Sequence, residues 1–243
     1  MLSLLELKKE LGKLANKKQA AILAGFFKTS QGQYGAGDIF LGIKVPAQRK
    51  AARGYENLSL VDVRKLLNSK IHEYRLIALL ILLSQYKKAE ISGKKKIVGF
   101  YLHNTKNINN WDLVDLSAPN ILGDYLLRPH AKFSAGVNKP RRILYKLAKS
   151  KNLWEKRISI ISTLAFIRNK ELGDTLRIAE ILLPDRHDLI HKAVGWMLRE
   201  AGKQDQAVLA RFLNKYYKIM PRTMLRYAIE KLSDKKRKFY LTK

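Results

Sequence analysis

Apolar residues recur every three or four positions along almost the whole of this 243-residue chain, and this period constrains its fold most strongly. Few stretches alternate with the two-residue period of a β-strand. Clear helical stripes are Leu76, Leu79, Leu80 and Leu83; Ile158, Ile161, Leu164 and Ala165; and Ile190, Val194, Met197 and Ala201. Glycine or proline breaks separate such stripes: residues 32–37, Pro46, Pro119, Pro129, residues 136–140, Pro184, Gly202 and Pro221. The pattern predicts a protein that is mostly or wholly α-helical.

Several predicted helices share a basic or polar first turn that leads into an apolar stripe, which indicates an internal repeat. Arg157, Lys192 and Arg226 are 35 and 34 residues apart, and Arg75 precedes Arg157 by 82 residues, or two periods of 41. Two-helix repeats of the HEAT and armadillo kind have periods of about 40 residues. We therefore expect an all-α, HEAT-like or armadillo-like helical repeat solenoid that forms a single domain over residues 1–243 and has a basic concave face.

Positive charge is spread along the chain rather than confined to one tail. There are 48 lysines and arginines against 20 acidic residues, which gives a formal net charge of +28. A field of this sign attracts polyanions, and a basic solenoid face can follow a duplex. A highly charged soluble protein and a protein that binds ribosomes or an acidic partner are the alternatives. The charge favours nucleic acid as the partner.

The residue types present exclude or disfavour several kinds of site. The chain has no cysteine, which excludes disulfides, thiol nucleophiles and thiolate metal ligands. His187 and His191 are four residues apart, but Asp188 stands where a zinc protease has glutamate, so we expect surface or phosphate-side histidines near a helix start. The glycines of residues 31–38 match neither the Walker nor the dinucleotide-binding spacing. We expect neither a metal nor a cofactor.

The start of the chain and its hydropathy bear on its location. Charge appears by Glu6, which is too early for a signal peptide, and no segment approaches ~18 uninterrupted apolar residues. We therefore expect a cytoplasmic, nucleoid-associated monomer that has no membrane contact and no obligatory protein partner.

One tryptophan is predicted beside a carboxylate and away from the core. Trp111 and Asp115 are four residues apart, so they share one face of a helix. A helical wheel places the apolar arc on the other side; its members are Leu113, Val114, Leu116, Ser117 and Ile121. The alternative is that Trp111 packs at the boundary with a neighbouring repeat.

A second tryptophan is predicted on an outward helix face. On the helical wheel, Trp196 falls about 120° from the apolar stripe that runs from Ile190 to Ala201, and it lies between Lys192 and Arg199. An aromatic ring between two cations suits contact with a nucleic-acid sugar or base, although packing between helices is again the alternative. Trp154, in contrast, falls on the stripe of residues 158–165 and is predicted to lie in the core.

Four ordered motifs give the chain a resemblance to a known family. They are residues 40–49 (FLGIKVPAQR), residues 111–115 (WDLVD) with 122–124 (LGD), residues 154–157 (WEKR) and residues 191–200 (HKAVGWMLRE). In this order and spacing, within residues 27–231, the chain resembles the bacterial and archaeal DNA alkylation repair proteins. These are alkylpurine DNA glycosylases built from HEAT-like repeats.

The resemblance implies roles for particular residues. The family's catalytic carboxylate matches Asp115, and its two sugar-facing tryptophans match Trp111 and Trp196. Its active-site arginine, which holds a backbone phosphate, matches Arg157. Backbone-contacting arginines match Arg49 and Arg199; Lys44 stands where some members have an uncharged polar residue, and Lys192 is a further DNA-binding candidate beside Trp196.

The activity that the resemblance implies is hydrolysis of the bond between an alkylated purine and its sugar in duplex DNA. Some relatives lack the catalytic carboxylate and only bind structured DNA, but Asp115 is present here. A non-catalytic HEAT-like protein that binds branched or damaged DNA is the alternative function. A HEAT-type protein adaptor is a third reading, which the net charge of +28 disfavours.

Overall fold

The regular secondary structure of the described residues is helical, as the apolar period predicts. The computed structural model describes residues 3–128 and 141–242. In that part of the chain there is no β-strand, and a single backbone bridge joins Ile39 to Ile71. No helix in the described ranges is both long enough and apolar enough to cross a membrane. The breaks predicted at Pro129 and at residues 136–140 lie outside the described residues.

The chain divides into two compact units, Met1–Leu113 and Val114–Lys243, here called the first and the second unit. The first unit contains α1 (Leu4–Lys13), α2 (Lys17–Phe26), α3 (Val45–Gly54), α4 (Leu60–Leu67), α5 (His72–Lys88), α6 (Ile91–His103) and a 3-10 turn (Thr105–Asn107). The next helix, α7 (Trp111–Ser117), begins in the first unit and ends in the second. The single domain predicted over residues 1–243 stays a prediction.

Helix α5 lies at the centre of the first unit, packed against α3 and α4. The predicted stripe along its sequence is incomplete: Leu76, Leu79 and Leu83 are buried, but Leu80 is only partly covered. Ile77, Ala78, Ile81 and Leu82 are buried as well. A helix covered on most of its sides needs apolar residues on most of its sides, which a single stripe underestimates.

The second unit contains the remaining helices. After α7 come a π-helical turn (Pro119–Gly123), α8 (Asp124–Leu127), α9 (Arg142–Ala148), α10 (Leu153–Ser162), α11 (Leu164–Arg168), α12 (Gly173–Leu182), α13 (Asp188–Gln204), α14 (Gln206–Tyr216), α15 (Arg222–Ile229) and α16 (Asp234–Leu241). Helix α13 packs against both α10 and α15.

The predicted repeat spacing is confirmed in the second unit. Helices α10, α13 and α15 begin at residues 153, 188 and 222, so their starts are 35 and 34 residues apart. The predicted stripe of α13, which consists of Ile190, Val194, Met197 and Ala201, is fully buried. Gly195 lets α15 approach closely, because a Cβ there would lie 2.5 Å from the Met224 carbonyl oxygen. These three helices therefore form a helical repeat.

Candidate functional site

Helix α7 carries two of the predicted site residues. Trp111 and Asp115 stand one helical turn apart and are both half-buried, whereas Leu113, Val114 and Ser117 are fully buried. Of the remaining predicted arc, Ile121 is fully buried and Leu116 is only partly covered. The structure thus confirms that the predicted apolar side of α7 is mostly buried and that the side with Trp111 and Asp115 is more accessible.

The carboxylate of Asp115 is held by Arg157, which comes from α10. Arg157 donates from Nε to Oδ1 over 2.8 Å and from Nη2 to Oδ2 over 2.7 Å. A two-pronged pair of this kind fixes the plane of the carboxylate as well as its distance. The Arg157 side chain is 6% exposed and that of Asp115 is 19% exposed. The carboxylate therefore stays accessible while the cation that orients it is covered.

Arg157 is itself fixed at a third point. Its Nη1 donates over 2.6 Å to the Leu189 carbonyl oxygen in the first turn of α13. Arg157 lies on α10, which is capped by Asn152: the Asn152 side chain accepts from the Trp154 backbone N–H over 2.8 Å. Trp154 is 7% exposed, which confirms it as a core residue. The phosphate contact expected for Arg157 stays a prediction, because the guanidinium described here binds a carboxylate and a carbonyl.

The π-helical turn after α7 determines how closely α10 can approach. Pro119 lies at its start, and the Gly123 N–H bonds to the Ala118 carbonyl, five residues back, over 2.9 Å. A Cβ at Gly123 would lie 2.3 Å from the Ser162 carbonyl oxygen at the end of α10. Only glycine allows this approach, which places α10 against the segment that follows Asp115.

Helix α13 presents Trp196 as the sequence predicts. Trp196 is half-buried although its neighbours Met197 and Val194 are fully buried. The two cations predicted to flank it are in ion pairs: Lys192 Nζ lies 2.7 Å from Asp188 Oδ2, and Arg199 binds Glu230. DNA contacts by Lys192 and Arg199 stay predictions and would compete with these acidic partners.

The two histidines lie at the start of α13, as expected. His187 caps the helix by accepting from the Leu189 N–H over 3.1 Å. His191 Nε2 lies 2.6 Å from the Asp185 carbonyl oxygen. Burial lowers the pKa of His187, and this effect outweighs the attraction of nearby carboxylates. No group of three or more metal-binding side chains is clustered within residues 3–128 and 141–242.

In the first unit, Trp111 packs in an aromatic cluster, as the alternative reading of this residue expected, but the members of the cluster were not identified from the sequence. Its ring stacks on Phe27 at a centroid distance of 5.3 Å and an interplanar angle of 20°. Phe26 meets it edge-on at 5.8 Å, and Phe27 also stacks on Phe40 at 5.2 Å. Phe26 is 62% exposed. These contacts fix the plane of the Trp111 indole ring, and their partners are too distant in sequence for a helical wheel to find.

A buried charged network in the same unit was also missed. His72 is 2% exposed; its Nε2 lies 2.8 Å from Asp112 Oδ2 and its Nδ1 lies 3.2 Å from Asp38 Oδ2. Asp38 also accepts from Arg75 Nη2 over 2.5 Å. The sequence held one signal for this network: Glu73 and Arg75 lie next to His72 in the first turns of a helix whose middle is apolar.

Glu73 supports the segment that leads into α3. Its carboxylate accepts from the backbone N–H groups of residues 41, 42 and 43 over distances of 2.8 to 3.2 Å. Gly42 has a φ of +83°, and a Cβ there would lie 2.1 Å from the Asn16 carbonyl oxygen. Lys44 then precedes α3 and Arg49 lies on it, both exposed. Their positions are compatible with the predicted DNA contacts, which stay predictions.

Solved structures share this fold. One, described as a predicted DNA alkylation repair enzyme from Enterococcus faecalis, is 14% identical with a TM-score of 0.67 and covers 90% of this chain and 97% of its own. Two from Streptococcus mutans, AlkD2 and smu.31, are 17% and 16% identical, each with a TM-score of 0.55 and coverage of 90% of this chain and 99% of its own. At these identities the likeness concerns the fold.

The search of curated proteins finds no match. The sequence model of one family, described as DNA alkylation repair enzyme, matches residues 7–232 and so covers nearly the whole chain. This match agrees with the helical repeat fold and with the resemblance of the four motifs. The chain belongs to the DNA alkylation repair enzyme family, whose fold it shares and whose role in alkylation repair it takes.

Proposed function

We propose that this protein is a monofunctional DNA glycosylase that removes cationic alkylated purines from duplex DNA. Its substrates are N3-methyladenine and N7-methylguanine, and its products are the free base and an abasic site. The observation that carries the proposal is the Asp115 carboxylate, accessible yet held in a fixed plane by the buried Arg157, in a member of the alkylation repair family.

The chemistry requires little besides stabilisation of positive charge. Alkylation at N3 of adenine or N7 of guanine makes the base cationic, so it leaves as a neutral molecule without a general acid. As the bond to the sugar breaks, positive charge moves to the sugar, which becomes oxocarbenium-like. A fixed carboxylate stabilises that transition state more than the ground state, as carboxylates do in glycosidases. Asp115 supplies this charge and orients the attacking water.

The tryptophans and Arg157 have supporting roles. Indole faces attract a cation, so Trp111 and Trp196 would each stabilise the developing sugar charge. Arg157 reduces the net negative field of Asp115, but it prevents the carboxylate from rotating. Catalysis therefore depends on preorganisation more than on a large unbalanced charge.

Duplex DNA is the partner in this proposal. The net charge of +28 provides long-range attraction, and the exposed Lys44 and Arg49 are available for phosphates. Lys192 and Arg199 would contribute after exchanging their acidic partners for phosphate. No cofactor or metal takes part in the proposed reaction.

The test is release of free base. Duplex DNA treated with a methylating agent is incubated with the protein, free N3-methyladenine and N7-methylguanine are quantified by mass spectrometry, and abasic sites are counted by alkaline cleavage. The proposal expects one abasic site for each free base released. Tight binding of the duplex with no free base and no abasic sites would refute it and support the non-catalytic DNA-binding alternative.

A further inference from the structure

His72 is connected to Trp111 through the aromatic cluster of the first unit. The imidazole stacks on Phe40 at 4.7 Å with an interplanar angle of 21°, and it lies 4.8 Å from the Phe27 ring. Phe27 in turn stacks on the Trp111 indole at 5.3 Å. Rings in contact at these distances are mechanically coupled, because a shift of one ring changes the van der Waals contacts of the next.

A second connection runs through the backbone of α7. Asp112 follows Trp111 directly in the first turn, and its Oδ2 lies 2.8 Å from His72 Nε2. Its other oxygen, Oδ1, is buried and has no hydrogen-bond partner among the described residues. His72 therefore holds this carboxylate, and with it the residue next to Trp111.

The charges around His72 favour the imidazolium form. Carboxylate oxygens face both ring nitrogens, Asp38 from the segment before α3 and Asp112 from α7, and only the imidazolium donates to both. Arg75 Nη2 approaches Nδ1 to 3.3 Å from the same helix and opposes that charge. Burial lowers the pKa of His72, but the hydrogen bonds to the two carboxylates outweigh it, and the net shift is upward.

We propose that His72 is a positioning residue for Trp111, which it holds through Asp112 and Phe27 in the orientation that base excision requires. The claim that this orientation matters for excision rests on the proposed function, whereas the mechanical coupling does not.

Loss of the His72 proton has a structural consequence. A cavity of about 320 Å³ adjoins the network; its lining includes Phe27, Phe40, His72 and Asp112, with Glu73 and Lys44 as the other charged groups. When His72 becomes neutral, it can donate to only one of its two carboxylate partners, and the other loses its hydrogen bond from the imidazole. The cavity then provides space for the two phenylalanine rings to move, and Trp111 moves with them.

The direction of the pH dependence follows from the raised pKa. The contribution of His72 is complete below its unfolded-state pKa of about 6.5 and is lost as the pH rises through the higher folded-state value. The environment of Trp111 should therefore change on the alkaline side of pH 6.5.

The primary experiment is ¹⁹F NMR of the full chain labelled with 5-fluorotryptophan. The chain has three tryptophans, whose signals are assigned with single Trp→Phe variants. We expect the Trp111 signal to shift with a single titration above pH 6.5 while the signal of the core residue Trp154 stays constant. In His72→Gln the titration should disappear, because the amide cannot carry the charge. A Trp111 signal that is independent of pH in the parent, or that titrates equally in His72→Gln, would overturn the proposal.

The functional arm compares His72→Gln with His103→Gln, a control on the exposed surface of α6. Single-turnover excision should slow roughly tenfold in His72→Gln, by analogy with small misplacements of catalytic groups, and should stay at the parent rate in His103→Gln. Parent-like excision by folded His72→Gln overturns the role in excision.

If His72→Gln fails to fold, the pH titration of the Trp111 signal in the parent protein decides whether His72 and Trp111 are coupled. A parent that titrates but releases no base refutes the proposed function and leaves the coupling intact.

Discussion

Arg157→Lys separates an orienting arginine from a phosphate-binding arginine, because lysine keeps the charge and loses the two-pronged geometry. Among the described residues, the guanidinium makes two hydrogen bonds to Asp115 and one to the Leu189 carbonyl. An ammonium group at the same place retains about one of them. Hydrogen bonds to charged groups contribute about 1.5–3 kcal/mol each, so the gross loss is roughly 3–6 kcal/mol. Asp115 is partly exposed, so water replaces part of the lost bonding and the net loss falls to about 2–4 kcal/mol.

These energies give measurable effects. A loss of about 2–4 kcal/mol lowers the melting temperature by roughly 4–16 °C if residues 1–243 unfold together. Excision should slow roughly 10- to 100-fold, since Asp115 is no longer held in one plane. Affinity for duplex DNA should change less than about twofold, because lysine also binds phosphate.

The assay is single-turnover base release below the melting temperature of the variant, with duplex affinity measured by fluorescence anisotropy. Arg186→Lys is the matched control. Arg186 is exposed and lies just before α13, the helix that Arg157 contacts through the Leu189 carbonyl. The control should behave as the parent in all three measurements. Parent-like excision by folded Arg157→Lys would refute the orienting role.

The other predictions concern charge and the remaining tryptophans. Binding to undamaged duplex should weaken steeply with salt, and each phosphate contact removed, for instance by Arg49→Ala, should lower the log–log slope by about 0.9; a flat response contradicts the electrostatic account. Trp196→Ala should slow excision and leave the protein folded, as its half-buried side chain suggests; a large fall in melting temperature would identify it as a packing residue. Trp154→Ala should destabilise the protein by about 3–5 kcal/mol, measured by denaturant unfolding.

The parts of the fold that depend on local periodicity could be predicted from the sequence. The helical class, the buried stripe of α13 and the different exposures of Trp154 and Trp196 all follow from residues within one helix. Such patterns repeat over a few turns, so one helical wheel contains the necessary information. The repeat interval could be measured in the same way, because equivalent basic residues mark equivalent turns.

The parts that depend on distant partners could not be predicted. Asp115 and Arg157 are 42 residues apart, and although each was identified by resemblance, nothing in the sequence pairs them. His72 depends on Asp38 and Asp112, which are 34 and 40 residues away. The burial of α5 was underestimated for the same reason. A helical pattern identifies one buried face, whereas the neighbours that cover its other faces come from elsewhere in the chain.

The most direct test of the central claim is single-turnover release of N7-methylguanine by Asp115→Asn. The amide keeps the size of the side chain and part of its bonding to Arg157, but it removes the charge that stabilises the sugar cation. We expect excision to slow roughly 10- to 1000-fold, by analogy with loss of one preorganised charge-stabilising group. Duplex affinity should stay equal or rise, because a carboxylate near phosphates repels them before reaction. Unchanged excision by the folded variant would contradict the account and remove Asp115 from the mechanism.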